Sequence, residues 1–185
     1  IQLSKEISSS DSEGNHRLLV GTNSDGDRQK QLDVIADDIF CASLKDAGVG
    51  FYASEERETI ETLNKDGDLG VAIDPLDGSS NIDCNVSIGT IFSIKEVRNK
   101  NHPQEDFFIL GDYLASGYFI YGPQTILVFT VGSGILKFLL NVEDYKFNVV
   151  PSNIKIPEQT QEYAINSSNS RYWPAPVRSY IEELL

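Results

Sequence analysis

The sequence contains no methionine, one tryptophan and two cysteines in 185 residues, and it sets only 15 basic side chains against 28 acidic ones. Each shortage excludes something. A formal charge of −13 leaves no basic footprint of the kind that holds nucleic acid. It does not exclude a phosphorylated ligand, because divalent cations held by carboxylates reverse the local field. Two cysteines without a secretory segment, Cys41 on a predicted helix face and Cys84 in a turn, read as free thiols in a reducing compartment, so the expected location is cytoplasmic. No apolar run reaches the roughly 18 residues of a membrane span, which leaves a membrane out of the expected partners. No repeat of about 20 to 50 residues and no low-complexity tract points to a solenoid or a linker. A chain without methionine that opens Ile1-Gln2-Leu3-Ser4 carries neither an initiator nor a signal peptide, so it is expected to begin after its true start. With 40% apolar residues, what remains is enough for one globular core, and a single domain over residues 1–185 is the expectation.

The informative stretch is Asp74-Pro75-Leu76-Asp77-Gly78-Ser79-Ser80-Asn81. Val71, Ala72 and Ile73 read as the end of a buried strand. Pro75 lacks a ladder donor, so the strand is predicted to stop at Asp74. Asp77 follows three residues later. Two carboxylates this close repel unless a cation lies between them, and hard oxygen ligands suit Mg²⁺ or Mn²⁺. Gly78, Ser79 and Ser80 can then offer N–H groups and hydroxyls to a phosphate, above all if a helix begins there. In isolation, Asp-Pro and Asp-Gly are turn signals. Context changes their weight: Glu55-Glu56 also follows a strand-like run, residues 49–53, and Asp27 and Asp33 add carboxylates upstream. Two strand ends carrying Glu-Glu and Asp-x-x-Asp can converge on a two-metal centre with ions about 4 Å apart.

Residues 1–7 read as a helix tail and 8–15 as polar loop. Leu32, Ile35, Ile39, Ala42 and Leu44 recur at helical spacing and predict a helix over 28–48, stopped by Gly48. Asp27 falls at its N-terminal edge, where an N-cap role and a functional one can coexist. Asp37 and Asp38 are expected on its solvated face, and residues 57–70 as loop or irregular helix. A strand over 89–97, a short helix near 106–110 and a β meander over 118–121, 125–131, 135–140 and 147–150 follow, with aromatics in the core. A polar turn at 164–169 precedes a proline-opened helix at 177–185. The fold class expected is α+β, with a mixed or antiparallel sheet covered by the 28–48 helix as one part of a layered sandwich.

Residues 21–92, with Asp25-Gly26-Asp27-Arg28-Gln29-Lys30-Gln31-Leu32-Asp33, Ser54-Glu55-Glu56 and Ile73-Asp74-Pro75-Leu76-Asp77-Gly78-Ser79-Ser80-Asn81-Ile82-Asp83-Cys84, resemble a class I fructose-1,6-bisphosphatase. The acidic turn is shared with the wider Mg²⁺-dependent sugar and inositol phosphatases, and Ser87-Ile88-Gly89-Thr90-Ile91-Phe92 resembles the fructose enzyme more than the inositol one. The resemblance implies a layered sugar-phosphatase sandwich, an oligomeric enzyme and a sugar bisphosphate as substrate. It also implies roles. Glu55 and Asp74 would bridge Mg²⁺ or Mn²⁺ ions, with the Leu76 carbonyl and Asp77 completing the shells and Asp27 binding a further ion or helping activate water. Glu56, relayed through Asp33, would take the water's proton. Asp77, Gly78, Ser79 and Ser80 would hold the reacting phosphate and Asn166 the distal one. The family is longer and draws a further acidic ligand and basic and tyrosine residues from a second domain. The chain is thus expected to be an N-terminal metal- and phosphate-binding domain, weak on its own. Regulated members carry a Lys-Tyr pair where this chain has Asp68 and Leu69, so their inhibition by AMP is not implied. A sedoheptulose-bisphosphatase, an inositol-phosphate phosphatase and a noncatalytic interaction domain are the alternatives.

Overall fold

A computed structural model describes the backbone of residues 1–9, 19–22, 28–109 and 112–184, and the side chains of these except 8, 9, 19–22, 28–31, 83 and 84. In chain order its elements are α1 (Gln2–Ser9), β1 (Leu19–Thr22), β2 (Arg28–Lys30), α2 (Gln31–Asp46), β3 (Phe51–Ser54), β4 (Glu61–Thr62), β5 (Leu69–Asp77), β6 (Ile88–Glu96), α3 (Pro103–Phe108), β7 (Tyr113–Tyr121), β8 (Thr125–Thr130), β9 (Leu136–Asn141), β10 (Lys146–Val150) and α4 (Ala175–Leu184). Two compact units form, Ile1–Asn153 and Ile154–Leu185. Among the described residues no helix is long and apolar enough to cross a membrane.

The first unit is an α+β layer structure built on an eight-stranded sheet of order β10-β9-β8-β7-β6-β5-β3-β4. Every pair in it is antiparallel except β3 with β5, so the sheet is mixed. The helix predicted from residue 28 begins at 31 instead. Residues 28–30 pair antiparallel with β1, and tertiary pairing overrides helix propensity where no apolar period fixes the face.

α2 covers one face of the sheet. Leu32 and Ala36 are fully buried in a cluster with Leu3, Leu76, Ile88 and Tyr121. One turn and more along, Phe40, Cys41 and Leu44 close over Val49, Tyr52, Val71 and Ile73. Each large apolar side chain buried this way is worth about 1.5–3 kcal/mol. The helix stops as its glycine predicts: Gly48 has φ +83°, its N–H bonds the Lys45 carbonyl and that of Val49 the Leu44 carbonyl, each at 3.0 Å. That is the Schellman pattern, and Val49 and Leu44 meet in the same apolar cluster.

The meander forms as expected, but its aromatics divide between faces. Phe119, Tyr121 and Phe147 meet at ring separations of 5.9 to 6.2 Å, while Tyr118, the residue before Phe119 on β7, is exposed. Period-two alternation dictates this split. The predicted helix near 106–110 is α3, opened by Pro103 and closed by the buried Lys95, whose ammonium donates to the carbonyls of Asp106 and Ile109. In the second unit a 3₁₀ turn, Ser167–Tyr172, precedes α4, which begins at Ala175 directly after Pro174.

Candidate active site

Three steps along a strand should send Asp74 and Asp77 to opposite faces. The structure prevents this with a bulge. Asp74 pairs with Ile91 and Asp77 with Gly89, so three steps of β5 oppose two of β6 and both carboxylates share the face of Gly89 and Ile91. Strand pairing therefore continues past Pro75 to Asp77, which corrects the predicted stop at Asp74. The missing N–H costs nothing because Pro75 lies in the bulge, where no ladder donor is needed. Its carbonyl turns inward instead. The Thr90 hydroxyl donates to it at 2.8 Å and lies 2.8 Å from the Tyr121 hydroxyl. Thr90 is fully buried, and burial pushes the Tyr121 phenol up to about 12, with the Thr90 hydrogen bond opposing. Asp74 Oδ1 accepts the Leu76 N–H at 3.1 Å, which tightens the same corner.

After Asp77 the chain reverses at Gly78, whose φ of +78° belongs to glycine, into a six-residue 3₁₀ helix, Ser79–Cys84. The Gly78 carbonyl accepts the Asn81 N–H at 2.8 Å. The helix start considered for Gly78, Ser79 and Ser80 is thus a short 3₁₀ turn beside the carboxylates.

Parallel pairing brings the second acidic pair to the same place. Ser54, the last residue of β3, lies beside Ile73 of β5, so β3 ends next to the residue before Asp74, and the Glu55 N–H bonds the Ile73 carbonyl at 3.1 Å. Glu55 and Asp74 share a side-chain hydrogen bond. Burial, that bond, and repulsion from Glu55 and Asp77 push the Asp74 carboxyl up to about 7. A shallow depression beside Asp74 is lined by Ala72, Ile91, Ser93, Tyr113 and Ser116.

Asp33 is buried on α2, 4% exposed. Asp37, expected on the solvated face, is buried too, at 5%. The reason is a pair of partners supplied from far along the chain: the Tyr52 hydroxyl donates to its Oδ1 at 2.8 Å and Arg57 Nε to its Oδ2 at 2.6 Å. Asp38 does face solvent, with its side chain 71% exposed. Asp27 lies outside the described residues. Asn166 belongs to the second unit, where its Oδ1 caps the 3₁₀ turn by accepting from Ser168, and its amide N–H₂ is the group left to donate.

Residues 17–151 match the family model described as fructose-1,6-bisphosphatase, N-terminal domain. The chain belongs to the fructose-1,6-bisphosphatase family. It is 49% identical over 166 residues to a class 1 fructose-1,6-bisphosphatase of Cereibacter sphaeroides, covering 89% of this chain and 49% of that protein. It is 50% identical over 168 residues to the class 1 enzyme of Paracoccus denitrificans, covering 90% and 50%. Among solved structures, the holo form of Leishmania major fructose-1,6-bisphosphatase superposes with a TM-score of 0.88 at 32% identity, over 98% of this chain and 59% of that one. The T-state of the same enzyme gives 0.78 at 29% identity. The chain spans about half the length of the curated relatives it matches.

For a fructose-1,6-bisphosphatase-family chain, the donors fit a divalent cation. They are all oxygen, and the Asp74 carboxyl is raised first by burial and then by the neighbouring carboxyls of Glu55 and Asp77, a crowding that a cation would relieve. Among the described residues no three His, Cys, Asp or Glu side chains close on a metal position by themselves, so Glu55, Asp74 and Asp77 form an open set. The sequence singled out those three but gave little sign that Tyr52, Arg57, Asp37, Thr90 and Tyr121 would pack behind them. The one local signal was Arg57 directly after the Glu pair, the first cation beyond Lys45 in an acidic stretch.

Proposed function

We propose that this chain is the N-terminal metal- and phosphate-binding domain of a fructose-1,6-bisphosphatase that hydrolyses fructose 1,6-bisphosphate to fructose 6-phosphate and phosphate. The observation that carries the reading is the meeting of Glu55 with Asp74 and Asp77, which parallel pairing and the bulge bring to one corner of the sheet. Membership of the family supports it. Glu55 and Asp74 hold the cations, with Asp77 and the Leu76 carbonyl beside them. Mg²⁺ or Mn²⁺ bound there supplies Lewis acidity toward the phosphoryl oxygens and the attacking water. Glu56, assisted by Asp33, accepts the water's proton, and Asp27 contributes a further carboxylate. Gly78, Ser79 and Ser80 support the phosphate through N–H groups and hydroxyls as charge redistributes. Asn166 donates its amide to the distal phosphate. The intact protein is a cytoplasmic homo-oligomer acting on a small sugar bisphosphate.

Phosphate release by the full-length protein, assayed with Mg²⁺ and then EDTA, tests this. Fructose 1,6-bisphosphate is expected to be hydrolysed fastest, and EDTA to stop it. Faster release from sedoheptulose 1,7-bisphosphate or an inositol monophosphate reassigns the substrate, and release indifferent to EDTA rejects the cation chemistry.

A further inference from the structure

Behind the Glu55–Glu56 turn lies an ionic cluster with no part in the chemistry above. Asp37 stands one helical turn beyond Asp33 on α2, and both are buried, so they share a face. Its two oxygens are divided between Tyr52 and Arg57. The guanidinium centre sits 5.4 Å over the Tyr52 ring and reaches Asp38 at 3.5 Å and Glu61 at 3.7 Å. One arginine therefore joins α2, β3, β4 and its own turn. That turn presents Glu55 and Glu56. Its backbone is tied at three successive residues: Glu55 N–H to the Ile73 carbonyl at 3.1 Å, Glu56 N–H to Ser54 Oγ at 3.2 Å, and Arg57 N–H to the Ser54 carbonyl at 3.2 Å.

A chain of charge −13 that crowds Glu55, Asp74 and Asp77 together has an electrostatic reason not to bury another carboxylate nearby. Stability alone does not supply a reason to do so, since an apolar pair of similar volume commonly stabilises as well as a buried ion pair. What the ion pair adds is direction. A guanidinium fixed by a charged hydrogen bond at 2.6 Å and by a ring face has one seat, and the turn attached to it inherits that seat.

We propose that Asp37 is a positioning residue for the Glu55–Glu56 pair: by seating Arg57 against Tyr52 it holds the turn where Glu55 meets Asp74, and so sets the affinity of the acidic corner for a divalent cation. This rests on the cation-binding reading given above. Its logic is that of outer-shell partners that orient metal ligands without touching the metal.

The test is Mn²⁺ titration of the full-length protein by calorimetry, with a thermal melt of every variant. Asp37→Asn is expected to weaken Mn²⁺ binding about ten- to a hundredfold, the range for loss of an outer-shell partner. Tyr52→Phe removes one hydroxyl and leaves the ion pair, so a smaller weakening in the same direction is expected. Asp46→Asn makes the same charge change at the far end of α2 and should bind as the parent does. In turnover, the Mn²⁺ needed for half-maximal rate should rise in Asp37→Asn while KM for the sugar bisphosphate stays, a split that simple loss of stability does not produce. Parental Mn²⁺ affinity in folded Asp37→Asn and Tyr52→Phe overturns the positioning role alone. If Asp37→Asn has no cooperative melt, Tyr52→Phe decides by itself, and parental affinity there overturns the proposal. A parent protein that binds no Mn²⁺ overturns the cation reading and this inference with it.

Discussion

Asp74 is a residue whose charge is expensive to keep. Its carboxyl is pushed up to about 7 by burial and by Glu55 and Asp77, against 3.8 in an unfolded chain. The folded state therefore binds more protons than the unfolded state between those values. Stability from this group is present below pH 3.8 and is lost as pH rises through 7. Without divalent cations, melting temperature is expected to fall from pH 5 to pH 8 more steeply than in Asp74→Asn, and added Mg²⁺ should restore more at pH 8 than at pH 5. Melts at both pH values in EDTA and in Mg²⁺ check this; equal restoration at both would remove the carboxylate repulsion from the account. For activity, Asp74→Asn keeps the shape and loses the charge that holds cations, and a loss of about 4 kcal/mol or more, roughly a thousandfold in turnover, is expected. Assay of the full-length variant under saturating Mg²⁺, beside Asp46→Asn, measures it. At this scale the acidic corner was legible because Asp-Pro-Leu-Asp-Gly and Glu-Glu carry their chemistry in adjacent residues. Asp37 was not, since periodicity assigns a polar residue to solvent and its partners Tyr52 and Arg57 lie 15 and 20 residues on.

The element that does most to assemble the corner is the β5 bulge, and here the sequence misleads by a rule that is locally sound. Pro75 does remove a donor, but a bulge has no use for one, so the strand survives and gains the extra residue that turns Asp77 to the side of Asp74. What holds the bulge is the Pro75 carbonyl's bond to Thr90, a residue whose role depends on pairing between β5 and β6 and so has no local signature. Thr90→Val preserves shape while leaving that carbonyl and the Tyr121 hydroxyl unsatisfied in the core. A destabilisation of about 1–3 kcal/mol is expected, measured by denaturant unfolding, with Tyr121→Phe costing less because the Thr90–Pro75 bond remains. If Thr90→Val unfolds at the parental midpoint, the bulge is held by something else. By contrast, the end of α2 was fully readable, because Gly48 signals its own positive φ, whereas its start was hidden by pairing with β1.

On the scale of the whole molecule, the sheet has one face closed by α2 and one that carries Asp74. Ile91 pairs with both Asp74 and Tyr118, and Ile120 follows at the next position on the same side. These three apolar side chains are 51%, 40% and 36% exposed. An antiparallel sheet can leave one face to water where that face is polar, but contiguous exposed apolar surface is a site of association. The chain spans about half the length of the curated relatives it matches, and the proposal that it is one domain of a larger enzyme gives that face a reason to be apolar. Residues 1–185 produced alone are therefore expected to self-associate, and Tyr118→Lys, which puts a charge in the middle of the patch, to shift the population toward monomer. In the full-length protein the same substitution should instead lower stability, because a lysine ammonium would be driven under whatever covers the face. Light scattering on the short form and thermal melts on the long one separate the two effects. A monodisperse, freely soluble short form, together with a full-length Tyr118→Lys that melts like its parent, would leave the face as ordinary solvent-exposed surface and overturn its reading as a covered interface.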